Sequence, residues 1–283
     1  MSIQSRFCLN TATINETPLE LQVQLASSAR FTRIGLWLAD IEIAIRQGKS
    51  LQEVSESLQT AGLKVEEICF LGNWQDTDEE GFARTVQDAH RICQVSQALG
   101  CDLVVAVPGQ GRGWLESAPM RFRRICQVAA DYGVRIALEF AGTAAEVKDL
   151  RTAWQLVSNA GSANGGLLLD TFHFFLGGSK IDDLRNVPGE KIFLVHVSDA
   201  MDVSREKLMT HHDYRTFPGQ GNIDFAPLFK QLNCLGYEGS VSLEIWNQQL
   251  RREDPAEVVR TGFESLRTLA PLLGKERTSE GTL

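Results

Sequence analysis

Gly166-Leu-Leu-Leu-Asp170-Thr-Phe-His173 decides how the rest of the chain reads. Three leucines lead straight into an acid, and a histidine follows three places later. A continuous apolar run suits a strand buried on both faces of a parallel sheet. Asp170 then stands where that strand leaves the core, at its carboxyl end. Working outward, three more segments have the same form: Val134-Arg-Ile-Ala-Leu138 ends at Glu139, Ile192-Phe-Leu-Val-His196-Val197 carries a histidine near its end, and Ser240-Val-Ser-Leu243 ends at Glu244. If these strands are neighbours in a barrel, Glu139, Asp170, His196 and Glu244 converge on one point.

The remaining chain supplies the other strands and the helices between them. Apolar segments at residues 6–9, 33–37, 64–71 and 101–107 read as strands. Helical spacing appears at residues 17–26, 50–61, 82–99, 117–132, 145–159, 225–235 and 254–273, with a short helix at 181–184. Ser50 is placed to cap one helix and Pro255 to fill the first turn of another. Strand–helix alternation eight times over predicts an α/β fold, a single (β/α)₈ barrel, for which about 250 residues is typical. Residues 1–273 are expected to form that barrel and residues 274–283 a flexible C-terminal tail. A longer insertion, residues 199–221, follows the strand that holds His196, and the glycine-rich loop 110–114 reads as mobile.

Composition narrows the class. The 283 residues are 43% hydrophobic, and 28 Lys+Arg against 36 Asp+Glu give a formal net charge of -8. An acidic surface is repelled by phosphates, which disfavours nucleic-acid binding. Six cysteines without a CxxC pair read as reduced core thiols. No basic region followed by an apolar block opens the chain, and no apolar run reaches membrane-span length. The expectation is a cytoplasmic protein that uses no membrane.

Two glutamates, an aspartate and a histidine offer three hard oxygen donors and one borderline nitrogen. That set suits Mn²⁺, Mg²⁺, Co²⁺ or Zn²⁺. Three carboxylates at one mouth repel unless a cation lies between them, although each alone could cap a helix or pair with Lys or Arg. His173 lies past its strand end, within reach of substrate or satisfied structurally. Arg215 sits between two ligand-bearing strands, where it can anchor substrate oxygens. Trp37 and Trp74 end or follow strands and can wall a pocket or fill the barrel rim. Glu66 and Glu67 are adjacent, so one faces inward and one outward. His211 and His212 are neighbours that point different ways, as in a solvated loop. Pro108-Gly-Gln-Gly-Arg-Gly113 lacks the P-loop Lys-Ser/Thr and marks no phosphate site.

Ala137-Leu-Glu139-Phe140, Leu169-Asp170-Thr-Phe-His173, His196-Val-Ser-Asp199, Phe217-Pro-Gly-Gln-Gly221 and Val241-Ser-Leu-Glu244 resemble the sugar phosphate isomerase/epimerase family of xylose isomerase-like barrels. The likeness runs from about residue 7 to residue 273. Within the family it is nearest the inosose (2-keto-myo-inositol) isomerases, which Cys8-Leu-Asn-Thr-Ala-Thr13, Val104-Val-Ala-Val-Pro108 and residues 132–142 also fit. The resemblance implies one divalent ion, Mn²⁺ foremost, held by Glu139, Asp170, His196 and Glu244. It makes Glu139 and Glu244 the groups that move a proton through a metal-bound enediolate, with His173 and Arg215 on the oxygens of a keto-sugar or inosose. Isomerisation and epimerisation both follow from that chemistry. So does a lyase: a dehydratase, or cleavage of a 3-keto C-glycoside. A non-catalytic sugar-binding barrel is the reading from another class. The superfamily also holds a trinuclear DNA-repair endonuclease, but its Asp-Arg-His triplet is Tyr214-Arg215-Thr216 in this chain. Barrels of this kind often pair, which leaves a homo-oligomer open.

Overall fold

The apolar runs form strands β1 (Phe7–Asn10), β2 (Arg33–Trp37), β3 (Lys64–Leu71), β4 (Leu103–Ala106), β5 (Arg135–Glu139), β6 (Gly165–Asp170) and β7 (Ile192–Val197) in a computed structural model that describes residues 3–210 and 212–274. Two short strands, β8 (Asp199–Ala200) and β9 (Arg215–Thr216), follow before β10 (Val241–Leu243). β1 to β7 pair in sequence order, and β10 bonds both β7 and β1, so the parallel sheet closes into a barrel. Every residue of β6 is buried, as its uninterrupted leucines require in a sheet covered on both faces. Asp170 pairs with His196, and His196 with Ser242, so register brings three strand ends level.

Helices α1 (Leu19–Ser28), α2 (Leu38–Arg46), α3 (Leu51–Thr60), α4 (Glu79–Ala98), α5 (Ala118–Ala130) and α6 (Leu150–Ala160) lie on the first five crossovers, with α2 and α3 sharing the second, α7 (Thr171–Gly177), α8 (Arg205–Thr210) and α9 (Phe225–Cys234) on later ones, and α10 (Pro255–Leu269) ends the barrel. Several of these starts follow side-chain caps. Ser50 and Glu53 form a capping box on α3, and Asp78, Asp149 and Asp254 accept first-turn N–H groups of α4, α6 and α10. The cap at Asp149 explains why α6 begins at Leu150 rather than at 145. The preceding residues are turns, tied by Ala141 N to Val147 O.

Two features of the fold were not legible in the sequence. Helix α2 directly follows β2. It lacks a side-chain cap, and its isoleucines at 41, 43 and 45 alternate like strand residues. Inside the insertion after β7, β8 and β9 form a two-stranded antiparallel sheet that pairs Ala200 with Arg215. One carboxylate holds this return. Asp199 accepts the N–H groups of Gly219, Gly221 and Ile223 at 2.9–3.0 Å. Gly221 must be glycine, because a Cβ there would lie 2.6 Å from Asp199 Oδ1. The Asp199 and Phe217–Gly221 motifs are thus one device that swings Arg215 over the barrel mouth.

All six cysteines are free, and all but Cys234 are buried. Among the described residues no helix is long and apolar enough to cross a membrane. Of the expected flexible tail, Gly274 is described and its carbonyl accepts from Asn233; residues 275–283 lie outside the described residues, as do His211 and the side chain of His212.

Candidate metal centre

Glu139 is the last residue of β5, Asp170 the last of β6, His196 the penultimate residue of β7, and Glu244 directly follows β10. One ligand atom from each lies within 4.8 Å of the others, and all four residues are buried. The geometry therefore joins the residues whose positions at strand ends had pointed to one site.

His196 carries the clearest sign of what the cluster can hold. Its Nε2 lies 2.6 Å from Glu67 Oε2. A carboxylate only accepts, so Nε2 bears the proton. The other ring nitrogen, Nδ1, is buried and has no hydrogen-bond partner, although Glu244 Oε2 is 3.4 Å away. A buried polar atom without a partner is costly. A cation beside Nδ1, shared with three carboxylates, would satisfy it.

Asp170 has two duties already. Its Oδ1 accepts His173 N at 2.7 Å, capping α7, and its Oδ2 accepts Arg215 Nη1 at 2.8 Å. The same Nη1 lies 3.3 Å from Glu244 Oε2. Arg215 is 1% exposed, so this pairing is fully desolvated, and its guanidinium lies over the Phe172 ring at 4.7 Å. Two donors face His173: Gly142 N–H at Nδ1, 3.1 Å, and Arg215 Nη2 at Nε2, 3.0 Å. A neutral imidazole has only one bare nitrogen, so it cannot accept both.

Charge balance favours a cation. Glu67, Glu139, Asp170 and Glu244 are buried together, against the fixed charge of Arg215. Burial pushes the Glu139 carboxyl well above its usual range, and the charges of Glu244 and Asp170 add to the shift. Burial also raises Glu244, but His196 and Arg215 outweigh it and hold that carboxyl low. Burial lowers His196, yet Glu67 and Glu244 reverse the sign and raise it well above its ordinary value. A divalent ion would relieve the repulsion around Glu139 directly.

A cavity of about 270 Å³ opens onto the cluster. Glu139, Glu244, His173 and Arg215 line its polar side. The cavity also has an aromatic wall, in which Trp37 meets Phe70 and Trp246 edge-on, with ring centroids 5.2 and 5.1 Å apart. Trp37 thus lines the cavity, one of the two places its position in the sequence suggests. Trp74 does not line it. It is fully buried in the helix layer, tilted against Phe122 at 5.8 Å, with Nε1 donating to Val107 O at 2.7 Å. The loop after β3 turns it away from the mouth, where an apolar ring and a carbonyl satisfy both ends of the indole. The glycine-rich loop 110–114, read as mobile, is pinned: Gly111 N donates to Asp76 and Gly113 N to Glu146, each at 2.7 Å.

Sequence reasoning missed Trp246, Phe70 and Glu67. Trp246 lies two residues beyond Glu244, so strand periodicity places both on one side. Phe70 had no comparable signal. Glu67 could not be told from Glu66 until the register was known. Glu66 turns outward to Arg33, Lys64 and Ser240, and Glu67 turns in.

The chain matches the Xylose isomerase-like TIM barrel family over residues 23–269. It is similar to an inosose isomerase of Bacillus velezensis, 28% identical over 268 residues that span 92% of this chain and 95% of that protein. A 3-dehydroshikimate dehydratase of Pseudomonas aeruginosa is 34% identical over 203 residues, 70% of this chain but 31% of the longer relative. Among solved structures, one described as the IolI protein with a binding zinc atom superposes with a TM-score of 0.89 at 26% identity, covering 95% of this chain and 99% of that one. With fold, strand-end residues and sequence in agreement, this chain belongs to the xylose isomerase-like TIM barrel family.

Proposed function

We propose that this chain is a divalent-metal-dependent isomerase or epimerase of a keto-sugar or inosose. The reaction is proton transfer at a carbon next to a ketone. One observation carries the reading: of the four clustered residues, Glu139 and Glu244 line the cavity, while Asp170 and His196 lie behind them. Two carboxylates can therefore reach both a cation and a substrate carbon.

Glu139, Asp170, His196 Nδ1 and Glu244 would hold the ion, with Mn²⁺, Mg²⁺, Co²⁺ and Zn²⁺ all compatible with three oxygens and one nitrogen. When bound, it supplies Lewis-acid stabilisation of negative charge on a substrate oxygen. One glutamate takes the proton from carbon. The other, or the same one, returns it to the neighbouring carbon or to the opposite face. Such general acid–base assistance is worth about 10²–10⁴ in rate. Arg215 Nη2 and His173 Nε2 hold a substrate oxygen between them, which gives their strained pairing a use. Trp37, Phe70 and Trp246 offer flat apolar surface to the C–H face of a sugar or cyclitol ring and keep water away.

The pocket also argues for a neutral substrate. Among the described residues that line the cavity, Arg215 is the one Lys or Arg, and Asp170 and Glu244 already engage it. A phosphate or carboxylate on the substrate would meet no uncommitted arginine or lysine among those lining residues, although Arg251 lies behind them over the Trp246 ring. This favours ketoses and inososes over an acid such as 3-dehydroshikimate. The inosose isomerase and the zinc-containing structure support the reading by likeness.

The test is incubation of Mn²⁺-loaded protein with a panel of inososes, ketoses and 3-dehydroshikimate in D₂O, followed by NMR. Deuterium next to the ketone on an intact skeleton is the expected result. Loss of water or of an aglycone would make the protein a lyase. No deuterium in any compound would leave a sugar-binding barrel or a substrate outside the panel.

A further inference from the structure

Glu67 touches neither the cavity nor the clustered acids, yet the inside of the barrel is built around it. It is completely buried. Its Oε2 accepts from His196 Nε2 at 2.6 Å, and its Oε1 accepts from Ser242 Oγ at 2.8 Å and Asn10 Nδ2 at 3.1 Å. The backbone makes room for it. Pairing of β2 with β3 slips between Ile34 and Gly35, so that Gly35 stands opposite Glu67. A Cβ on Gly35 would come within 2.8 Å of Glu67 Cγ. The orientation of Asn10 is fixed in turn, because its Oδ1 accepts Trp37 Nε1 at 2.9 Å and Ala12 N at 3.0 Å.

We infer that Glu67 is the positioning residue of the metal centre: it fixes the tautomer and tilt of His196 so that Nδ1 is the bare nitrogen aimed at the ion. The inference rests on the proposal that Glu139, Asp170, His196 and Glu244 hold one divalent cation. Its logic is a chain of obligatory donors and acceptors. Trp37 and Ala12 donate to the Asn10 oxygen, so the Asn10 amide must donate onward to Glu67. Glu67, accepting on both oxygens, leaves His196 no choice but to donate from Nε2. In the neutral imidazole that binds a metal, Nδ1 then keeps the lone pair. A carboxylate behind a ligating histidine also makes the imidazole a better donor to a metal, and loss of such a partner typically costs about 10–100-fold in metal affinity. The aromatic wall and the metal site are thereby one connected network, since Trp37 belongs to both.

The isosteric variant Glu67→Gln separates this role from simple packing. A glutamine amide has one accepting and one donating end. With its NH₂ toward His196, it forces the proton from Nε2 to Nδ1 and blocks the ligand atom. With its NH₂ the other way, it sets donor against donor at Asn10 Nδ2. Gly35→Ala offers a second route, because it displaces the carboxylate without changing any charge in the site. The experiment titrates chelator-treated wild type, E67Q and G35A with Mn²⁺ by calorimetry. It also records the visible spectrum of each with Co²⁺ and the melting temperature of each without metal. Expected are a fall in Mn²⁺ affinity of about 10–100-fold in E67Q, a fall in G35A, and altered Co²⁺ bands in both, with folded metal-free proteins. Wild-type affinity and an unchanged Co²⁺ spectrum in both variants would overturn the role of Glu67 and leave the metal proposal standing. Absence of stoichiometric binding by the wild type would overturn both.

Discussion

Replacing Arg215 by methionine should destabilise this chain much more in chelator than in Mn²⁺. The guanidinium is 1% exposed and lies 2.8 Å from Asp170 and 3.3 Å from Glu244. Methionine keeps the apolar contact with Phe172 but leaves two buried carboxylates without their arginine. Removing one partner of a buried pair costs about 3–5 kcal/mol. For a chain of this size each kcal/mol is about 2–4 °C, so melting should fall by roughly 6–20 °C in chelator. A bound divalent ion neutralises the same two carboxylates, so in saturating Mn²⁺ the fall should shrink by more than half. Thermal melts of wild type and Arg215→Met in chelator and in Mn²⁺ give the four values needed. Equal losses in the two conditions would refute the idea that Arg215 and a metal compensate the same charges.

Other outcomes follow from the same geometry. Glu139→Gln and Glu244→Gln should each slow deuterium exchange next to the ketone by about 10²–10⁴; wild-type exchange in either variant would remove that residue from the proton path. Uptake of Mn²⁺ should release protons at neutral pH. Burial and acidic neighbours raise Glu139, and Glu67 and Glu244 raise His196 against burial, so the metal-free site holds protons that the ion must displace. Affinity therefore rises with pH, and the heat of binding depends on the ionisation enthalpy of the buffer; identical heats in phosphate and Tris would contradict this. The same two raised groups favour the protonated folded state, so the metal-free protein should lose stability as pH rises through their folded values. Trp37→Ala should raise KM, whereas Trp74→Phe should leave KM unchanged and cost about 0.5–1.5 kcal/mol for its lost hydrogen bond to Val107 O; the reverse pattern would return Trp74 to the substrate.

What could be read from the sequence was what periodicity encodes. Leu167 to Asp170 and its three counterparts announced both a buried strand and a polar group at its exit, because an unpaired acid is costly to bury within the apolar run itself. Helix α2 escaped because alternating isoleucines without a cap satisfy a strand as well as a helix. Trp74 was misplaced because sequence distance from a strand end does not say which way a loop turns. Glu67 was undecidable beside Glu66, since one residue of slip reverses which of them faces inward. Asp199 was visible as a motif but not as the clasp that returns Arg215 to the site, because three backbone N–H groups on a single carboxylate leave no periodic trace. Apart from α2, these misses are long-range, as Asp199 depends on Gly219 at a separation of 20.

Convergence on a single ion is best tested by an anomalous-difference map at the manganese absorption edge from crystals grown with Mn²⁺. One peak bonded to Glu139, Asp170, His196 Nδ1 and Glu244 is the expected result. No peak at that position, with Arg215 still bridging Asp170 and Glu244, would contradict the metal centre and the chemistry built on it.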